Sequence, residues 1–328
     1  MPNSEAERAR LRLTNTLECC SAQLCSLTMK QATKLVIGAG PTGMQTAKLL
    51  ADAGDHVIVV SRRGTGPNLS GVRHVALDVT DADALAGLAA GASALFNCAM
   101  PRYDRWPEEF PPIAASVLNA AERAGADLIT LSNVYGYGNV GGAMSESLPM
   151  APSTVKGRVR AAMWNAALAS RVRVTEVRAS DYLGQGAASL FTLMTLPAIV
   201  QGQPASFPGD LDALHSWTFT HDVAKTLVAA SRYEGAWGRA WHVPSSDLSV
   251  RALCARIAEL AAAPAPVLVR MPAAEFEALG AGDSILREVI EMAYLYDGPC
   301  CLDTTATQRA LGVIATPIDA VLRDTLGG

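Results

Sequence analysis

A glycine turn closes one short apolar run and opens a helix, and no other feature restricts the fold of this chain so tightly. Lys34-Leu-Val-Ile-Gly38 has the length and content of a buried strand. Gly38-Ala-Gly40-Pro-Thr-Gly43 follows, and then Met44-Gln-Thr-Ala-Lys-Leu-Leu-Ala-Asp-Ala-Gly54 repeats apolar residues at helical spacing and stops on glycine. His56-Val-Ile-Val-Val60 is a second apolar run. Strand, glycine turn, helix and strand make a βαβ unit, the setting that gives G-x-G-x-x-G its meaning. Gly38 permits the tight turn, Gly40 lets backbone approach a pyrophosphate, and Gly43 allows close helix–strand packing. The helix N-terminus, with Thr42 and Met44 in its opening turn, then faces the anion.

The alternation continues through Val72–Leu77, a helix from about Asp81, Ala94–Asn97, a helix over about 110–124, and Asp127–Leu131. Strands separated by helices of roughly 10–15 residues predict an α/β fold with a doubly wound parallel Rossmann sheet. After Arg171–Arg178 the rhythm loosens, and Pro and Gly become denser between 184 and 212. The expected division is a cofactor-binding domain over 33–182 and a smaller, interwoven C-terminal substrate region over 183–328, with about 216–246 returning to the first domain. Residues 1–32 read as a poorly ordered N-terminal extension. They do not read as a signal peptide, because Glu18 and Gln23 interrupt the apolar stretch and no convincing cleavage site follows.

Composition narrows the function classes. Of 328 residues, 50% are apolar and 18% charged, which supplies a sizeable core and excludes disorder as the main state. A net charge of −4 lacks the basic footprint of a nucleic-acid binder. No apolar run reaches the ~18–20 residues of a membrane span. Seven cysteines include the adjacent pairs Cys19-Cys20 and Cys300-Cys301, which suit neither a disulfide framework nor zinc spacing. They read as reduced thiols of a cytoplasmic protein. None of the five histidines pairs with another His, Cys or carboxylate at ligand spacing, so no metal site is expected. A serine hydrolase is disfavoured by the lack of a G-x-S-x-G elbow.

The position about 20 residues beyond the glycine turn distinguishes the two nicotinamide cofactors. A carboxylate there accepts from the ribose 2′-hydroxyl, whereas arginine accommodates a 2′-phosphate. This chain has Ser61-Arg62-Arg63-Gly64 and no carboxylate, so NADP(H) is expected over NAD(H). The alternative is that Arg62 and Arg63 only cap a surface loop. Asp78 and Val79 end the third strand, and Asn97 and Ala99 the fourth, at the edge where ligands bind in an open parallel sheet. Asp78 is placed to accept from an adenine amino group, while Asp81 reads better as a helix N-cap.

These segments resemble the short-chain dehydrogenase/reductase superfamily, in its extended and atypical branches that include NAD-dependent epimerase/dehydratases. Besides the glycine turn, Leu131-Ser132-Asn133-Val134-Tyr135-Gly136 is similar to their S-x-x-V-Y-G stretch. Val177-Arg178-Ala-Ser-Asp-Tyr182-Leu-Gly184 and Trp217-Thr-Phe-Thr-His221-Asp222-Val223-Ala224 resemble two later elements. The resemblance implies a Ser/Thr, a Tyr and a Lys at the catalytic centre, the last two as Y-x-x-x-K on one helix face. Here the corresponding positions read Lys156 and Arg160, and the usual proton donor is missing. Either Ser132 or Asn133 takes the serine's place.

Three readings follow. Lys156 acts as acid/base, since the like charge of Arg160 one turn away favours the neutral amine. Tyr135 supplies the proton while Lys156 orients the cofactor. The site is catalytically silent, as in NmrA-like regulators that bind NADP(H). On the substrate side, Tyr103 and Trp106 concentrate aromatic bulk in the loop after the fourth strand, and the resemblance places His215 and Trp217 on the opposite wall. Trp106 packing its own loop is the competing reading. The expected activity is NADP(H)-dependent hydride transfer at a carbonyl or alcohol carbon of a small molecule, with Ser132 bonding the substrate oxygen. A redox-neutral epimerisation or dehydration is the alternative, and a homodimer is compatible with either.

Overall fold

The computed structural model describes residues 33–327, so the extension expected over 1–32 lies outside the described residues. β1 (Thr33–Ile37) runs through the glycine turn into α1 (Pro41–Asp52), which returns to β2 (His56–Ser61). β3 (Val72–Ala76), α2 (Ala82–Ala89), β4 (Ala92–Asn97), α3 (Trp106–Ala124), β5 (Asp127–Asn133), α4 (Val155–Ala169) and β6 (Val174–Ala179) continue the alternation. Next come β7 (Asp181–Leu183), α5 (Leu196–Val200), β8 (Ala205–Phe207), β9 (Leu214–Phe219), α6 (Thr220–Arg232) and β10 (Arg239–His242).

Seven strands form one sheet in the order β10-β6-β5-β4-β1-β2-β3, and every pairing is parallel. Burial on both faces explains why the strands read as continuous apolar runs. Along β1, Val36 packs into one layer with Ala47 of α1 and Val223 and Leu227 of α6. Its neighbours Leu35 and Ile37 face the other layer, with Leu85 of α2 and Val117 of α3. This is the period-two alternation of a strand, with helices receiving both faces.

Local signals set several boundaries. The Asp81 side chain accepts from the Ala84 N–H, capping α2. Gly125 ends α3 in the left-handed region at φ 63°. α3 begins at Trp106 rather than near 110, because Pro107 sits in the opening turn, where a missing N–H costs nothing. No described helix is long and apolar enough to cross a membrane.

After β10, the chain forms β11 (Ser246–Ser249), α7 (Val250–Leu260), β12 (Leu268–Arg270), α8 (Ala273–Gly282), α9 (Ser284–Ile290), α10 (Thr305–Leu311) and α11 (Ile318–Thr325). β9 pairs with β7 in parallel and with β11 in antiparallel fashion. Phe191, Phe207, Trp217, Leu253, Ile257 and Leu322 fill a separate core beneath this small sheet. Asp222 at the start of α6 ties the C-terminal segment down: its carboxylate accepts from the Thr316 N–H and hydroxyl, both at 2.7 Å. Asp222 is buried, so Asp222→Ala removes two partners of Thr316 at once. Loss of about 1–3 kcal/mol of stability is expected, read as a lower urea midpoint with an unchanged slope.

Candidate functional site

At the carboxyl edge of the sheet, the glycine turn leaves room in one place and none in the others. A Cβ on Gly38 would stand 2.6 Å from the Cys98 carbonyl oxygen, and one on Gly43 only 2.1 Å from the Gly38 oxygen. Gly38 also has φ +105°, a conformation that disfavours any side chain. A Cβ on Gly40 would meet nothing within 4 Å, so the turn is open on the side where backbone would meet a phosphate. No side chain caps α1 at Gly40. The opening-turn amides of Thr42 and Gly43, just ahead of Met44, are therefore suited to an anion, and these residues fit a dinucleotide pyrophosphate.

Arg62 and Arg63 are exposed just beyond β2. Asp78 lies nearby, its carboxylate held below the usual range first by the Thr80 backbone N–H and hydroxyl, and also by the Arg62 charge. Val79 follows it, partly buried in the layer against α2 and α3. Asn97 is buried and accepts from the Ala99 N–H at 3.3 Å, which folds the end of β4 into the crevice.

Ser132 is buried near the end of β5, and the following residues form a short 3-10 turn over Val134–Tyr137. The Asn133 side chain accepts from the Tyr135 N–H at 3.2 Å and caps that turn. The Tyr135 hydroxyl accepts from the Tyr103 hydroxyl at 3.2 Å, so the loop after β4 and the turn after β5 meet. Burial pushes the Tyr135 hydroxyl well up, the Asp181 charge adds to it, and the Tyr103 bond and Arg160 oppose it. Tyr135 is thus a neutral, protonated group near neutral pH.

α4 places Lys156 and Arg160 one turn apart, both buried. The Lys156 ammonium donates to Glu288 of α9 and to Glu291 at 3.4 Å, and lies 4.6 Å from the Tyr103 ring centre. Glu291 also accepts from the N–H groups of Val155 and Lys156, at 3.0 and 3.1 Å, capping α4 from the C-terminal segment. Two carboxylates from the C-terminal segment therefore face Lys156, which the sequence pairs only with Arg160. Arg160 stands over the Trp106 and Phe110 rings, at 4.7 and 4.3 Å, and donates to the Leu131 carbonyl at 3.3 Å.

Two sequence expectations are corrected. Trp217 does not line the crevice: it is buried in the C-terminal core, packs on Phe191 and donates to the Leu248 carbonyl at 3.0 Å. Trp106 is likewise only 1% exposed and packs between Tyr103, Phe110 and Tyr135, anchoring its loop instead of presenting a wall.

His215 does reach a polar centre, through residues that no sequence spacing indicates. Its Nε2 lies 2.7 Å from Asp181, and its ring stacks on Tyr296, whose hydroxyl donates to the same carboxylate at 3.3 Å. A second buried network joins Glu176, Arg178, Tyr137 and His242. Arg178 donates to Glu176 and to the Tyr137 hydroxyl, both at 2.6 Å, and Tyr137 meets His242 Nε2 at 2.7 Å. Burial raises Glu176 above the usual carboxylate range, opposed by Arg178, Arg160 and the Ser132 hydroxyl. Among the described residues, no group of three or more His, Cys, Asp or Glu side chains is arranged to hold a metal ion.

The His215–Asp181 pair makes stability depend on pH. Burial pulls the imidazole down, but bonds to Asp181 and Cys300 and the Asp181 charge win, raising it from 6.5 to about 10. A raised folded value means that the contribution is complete below about pH 6.5 and is lost as pH rises through about 10. Denaturation curves across that window should show declining stability, and Asp181→Asn should flatten the decline.

The model of the NAD dependent epimerase/dehydratase family matches residues 34–243. No curated protein matches the chain in sequence. Among solved structures, MoeE5 in complex with UDP-glucuronic acid and NAD is 21% identical, with a TM-score of 0.71 over 90% of this chain and 97% of that one. The epimerase Mth375 from Methanothermobacter thermautotrophicus is 18% identical, with a TM-score of 0.73 over 90% of each chain. UDP-glucuronic acid 4-epimerase from Bacillus cereus, in complex with NAD, is 16% identical, with a TM-score of 0.70 over 89% and 96%. The family match spans most of the chain, includes the glycine turn and every strand of the parallel sheet, and establishes that the protein belongs to the NAD-dependent epimerase/dehydratase family, in the extended short-chain dehydrogenase/reductase branch.

Proposed function

We propose that the protein is a nicotinamide-dependent enzyme that oxidises an alcohol carbon of a small organic molecule and then returns the hydride, giving a redox-neutral epimerisation or dehydration. Family membership supports this over the net oxidoreduction expected from the sequence. The observation that carries it is the open, uncapped glycine turn at the same sheet edge as the Tyr103–Tyr135 hydroxyl pair. The UDP-glucuronic acid and UDP-glucose in complex with MoeE5 make a nucleotide sugar the substrate class to test before others.

When bound, the nicotinamide supplies the hydride acceptor and donor. Thr42, Gly43 and the Gly40 backbone would hold the pyrophosphate, and Arg62 and Arg63, exposed just beyond β2, would supply the charge that a ribose 2′-phosphate needs. NADP(H) is therefore proposed as the preferred form, although the relatives' titles name NAD. Tyr135 would take the substrate alcohol's proton as its phenolate, and would give that proton back when the hydride returns. Tyr103 supports the phenolate by donating to its oxygen, and a bound cationic nicotinamide would favour it. Lys156, already donating to two carboxylates, orients ligand rather than taking a proton. Ser132, buried near the end of β5, would bond the substrate oxygen.

The Lys156 and Arg160 replacement favours one second reading, a regulator that binds the dinucleotide without turnover. Its signature is tight binding with no hydride transfer to any substrate in a broad panel.

Once turnover is found, Tyr135→Phe should lower kcat by about 10²–10⁴-fold. Lys156→Ala should act mainly on KM. Unchanged kinetics in both variants would remove the assignment. By calorimetry, Arg62→Ala should weaken NADP by about tenfold and leave NAD nearly unaffected. Tighter binding of NAD than NADP by the unmodified protein would overturn the cofactor preference.

A further inference from the structure

A second glycine turn stands beside the dinucleotide turn, and it is held by residues 139 and 141 positions away in sequence. It begins where β7 ends. Gly184 and Gly186 have φ +121° and +72°, and the Ala187 N–H donates to the Gly184 carbonyl at 3.0 Å. A Cβ on Gly186 would stand 3.4 Å from Cγ of Pro41, the first residue of α1. A Cβ on Gly184 would stand 2.6 Å from the Thr220 hydroxyl at the start of α6, to which the Gln45 amide of α1 donates at 3.4 Å. The turn thus packs against the opening residues of both helices, while its two glycines give it little stiffness of its own.

The stiffness comes from α11. The Gly184 N–H donates to the Thr325 hydroxyl at 2.9 Å, and the Gln185 N–H donates to the Asp324 carboxylate at 2.8 Å. The Thr325 hydroxyl donates in turn to the Val321 carbonyl at 2.7 Å, so its oxygen is oriented as an acceptor for the turn. Val321 and Leu322 anchor the helix in the C-terminal core. Asp324 stands against helix preference, since a carboxylate in the last turn meets the negative end of the helix dipole. Gln185 is exposed, where water satisfies an N–H without help from a side chain. Neither group needs the other to be satisfied, and the effect of their bond is to fix the turn.

We propose that Asp324 and Thr325 are positioning residues for the nicotinamide dinucleotide: by clasping the turn at 184–187 they hold it against Pro41, where it closes the crevice beside the pyrophosphate amides. The inference rests on the dinucleotide reading of the first glycine turn. It involves neither Arg62 nor Arg63, so it applies to NAD and NADP alike. Asp181, whose charge acts on Tyr135, lies on the strand that leads into the clasped turn.

The test is calorimetry of the full chain with NAD and with NADP, beside urea unfolding without ligand. Thr325→Val should weaken both dinucleotides by about three- to tenfold, the net worth of one lost hydrogen bond, and Thr325→Ser should not. Asp324→Ala should bind both less tightly than Asp324→Asn by a similar factor, since both lose the charge but only asparagine keeps an accepting oxygen. A readout on the unmodified protein does not depend on how the variants fold. Because coupling is reciprocal, saturating dinucleotide should slow hydrogen exchange over residues 184–187 and over α11 more than over α8. Unchanged affinity in Thr325→Val and Asp324→Ala, whatever their urea midpoints, or exchange in α11 that ignores bound dinucleotide, would overturn the proposal and leave the dinucleotide reading intact. If the unmodified protein takes up neither dinucleotide, that reading itself fails and the proposal falls with it.

Discussion

The close approach of α1 to the edge between β1 and β4 is the constraint on which the rest of this structure depends. Gly43 packs where its missing Cβ would overlap the Gly38 carbonyl, and Gly38 packs on Cys98 at the end of β4. Only with both side chains absent can the helix start so near the strands that its free amides point over the sheet edge. The parallel pairing of β1 with β2 and β4 then brings Arg62, Asp78 and Asn97 to the same edge, because every strand of a parallel sheet ends on the same side. A change of one glycine would thus displace the helix, its amides and the crevice together.

Charge is the second organising element. Lys156 and Arg160 are buried one turn apart on a helix with no acidic residue in its opening turn. An unpaired buried ammonium or guanidinium costs several kcal/mol. The protein resolves the two cases differently. Lys156 is met by Glu288 and Glu291 from the C-terminal segment, and Arg160 by the faces of Trp106 and Phe110 and a backbone carbonyl. The weakly hydrated, planar guanidinium tolerates aromatic faces better than an ammonium does, which suits Arg to the interior position. As a result, the C-terminal segment is tied to the sheet edge by electrostatics as well as by packing, since Glu291 also caps α4.

What could be read in the sequence was what short-range pattern controls. The βαβ unit, the alternation of strands and helices and the Asp81 cap all rest on residues within a few positions of one another, and each is present. α3 starts at Trp106, ahead of the helix expected over about 110–124, and Pro107 falls at the one turn that accepts it. The candidate site was legible only where it is local. Ser132 and Tyr135, the candidates of one short stretch, lie close in sequence, but Glu288 stands 132 residues from Lys156 and Asp181 stands 34 from His215. The histidines carried no spacing signal because the partner of His215 is on a neighbouring parallel strand, and strand pairing is not written in local periodicity. Trp217 misled for a related reason: His215 and Trp217 share a side of β9, but the indole packs on Phe191 in the C-terminal core, whereas the imidazole meets Asp181.

The proposed relocation of the proton-bearing group to Tyr135 has a structural logic. On a helix, a tyrosine four residues before a cation is held close to that cation by backbone geometry, which lowers its affinity for the proton. In this chain the cations stay on α4 while the tyrosine is carried by a short turn after β5. Tyr135 therefore feels Arg160 less than it feels burial and Asp181, and its hydroxyl remains protonated. Such a group starts as an acid, whereas the usual arrangement serves equally as a base. The Tyr103 bond partly offsets the penalty by donating to the oxygen that would carry the charge. A ligand that displaced Asp181's influence, or brought a cation's charge nearer, would shift Tyr135 toward the basic role. In the proposed reaction, proton uptake by Tyr135 is thus coupled to what fills the crevice, a dependence that follows from carrying the hydroxyl on the turn after β5 while the charges stay on α4.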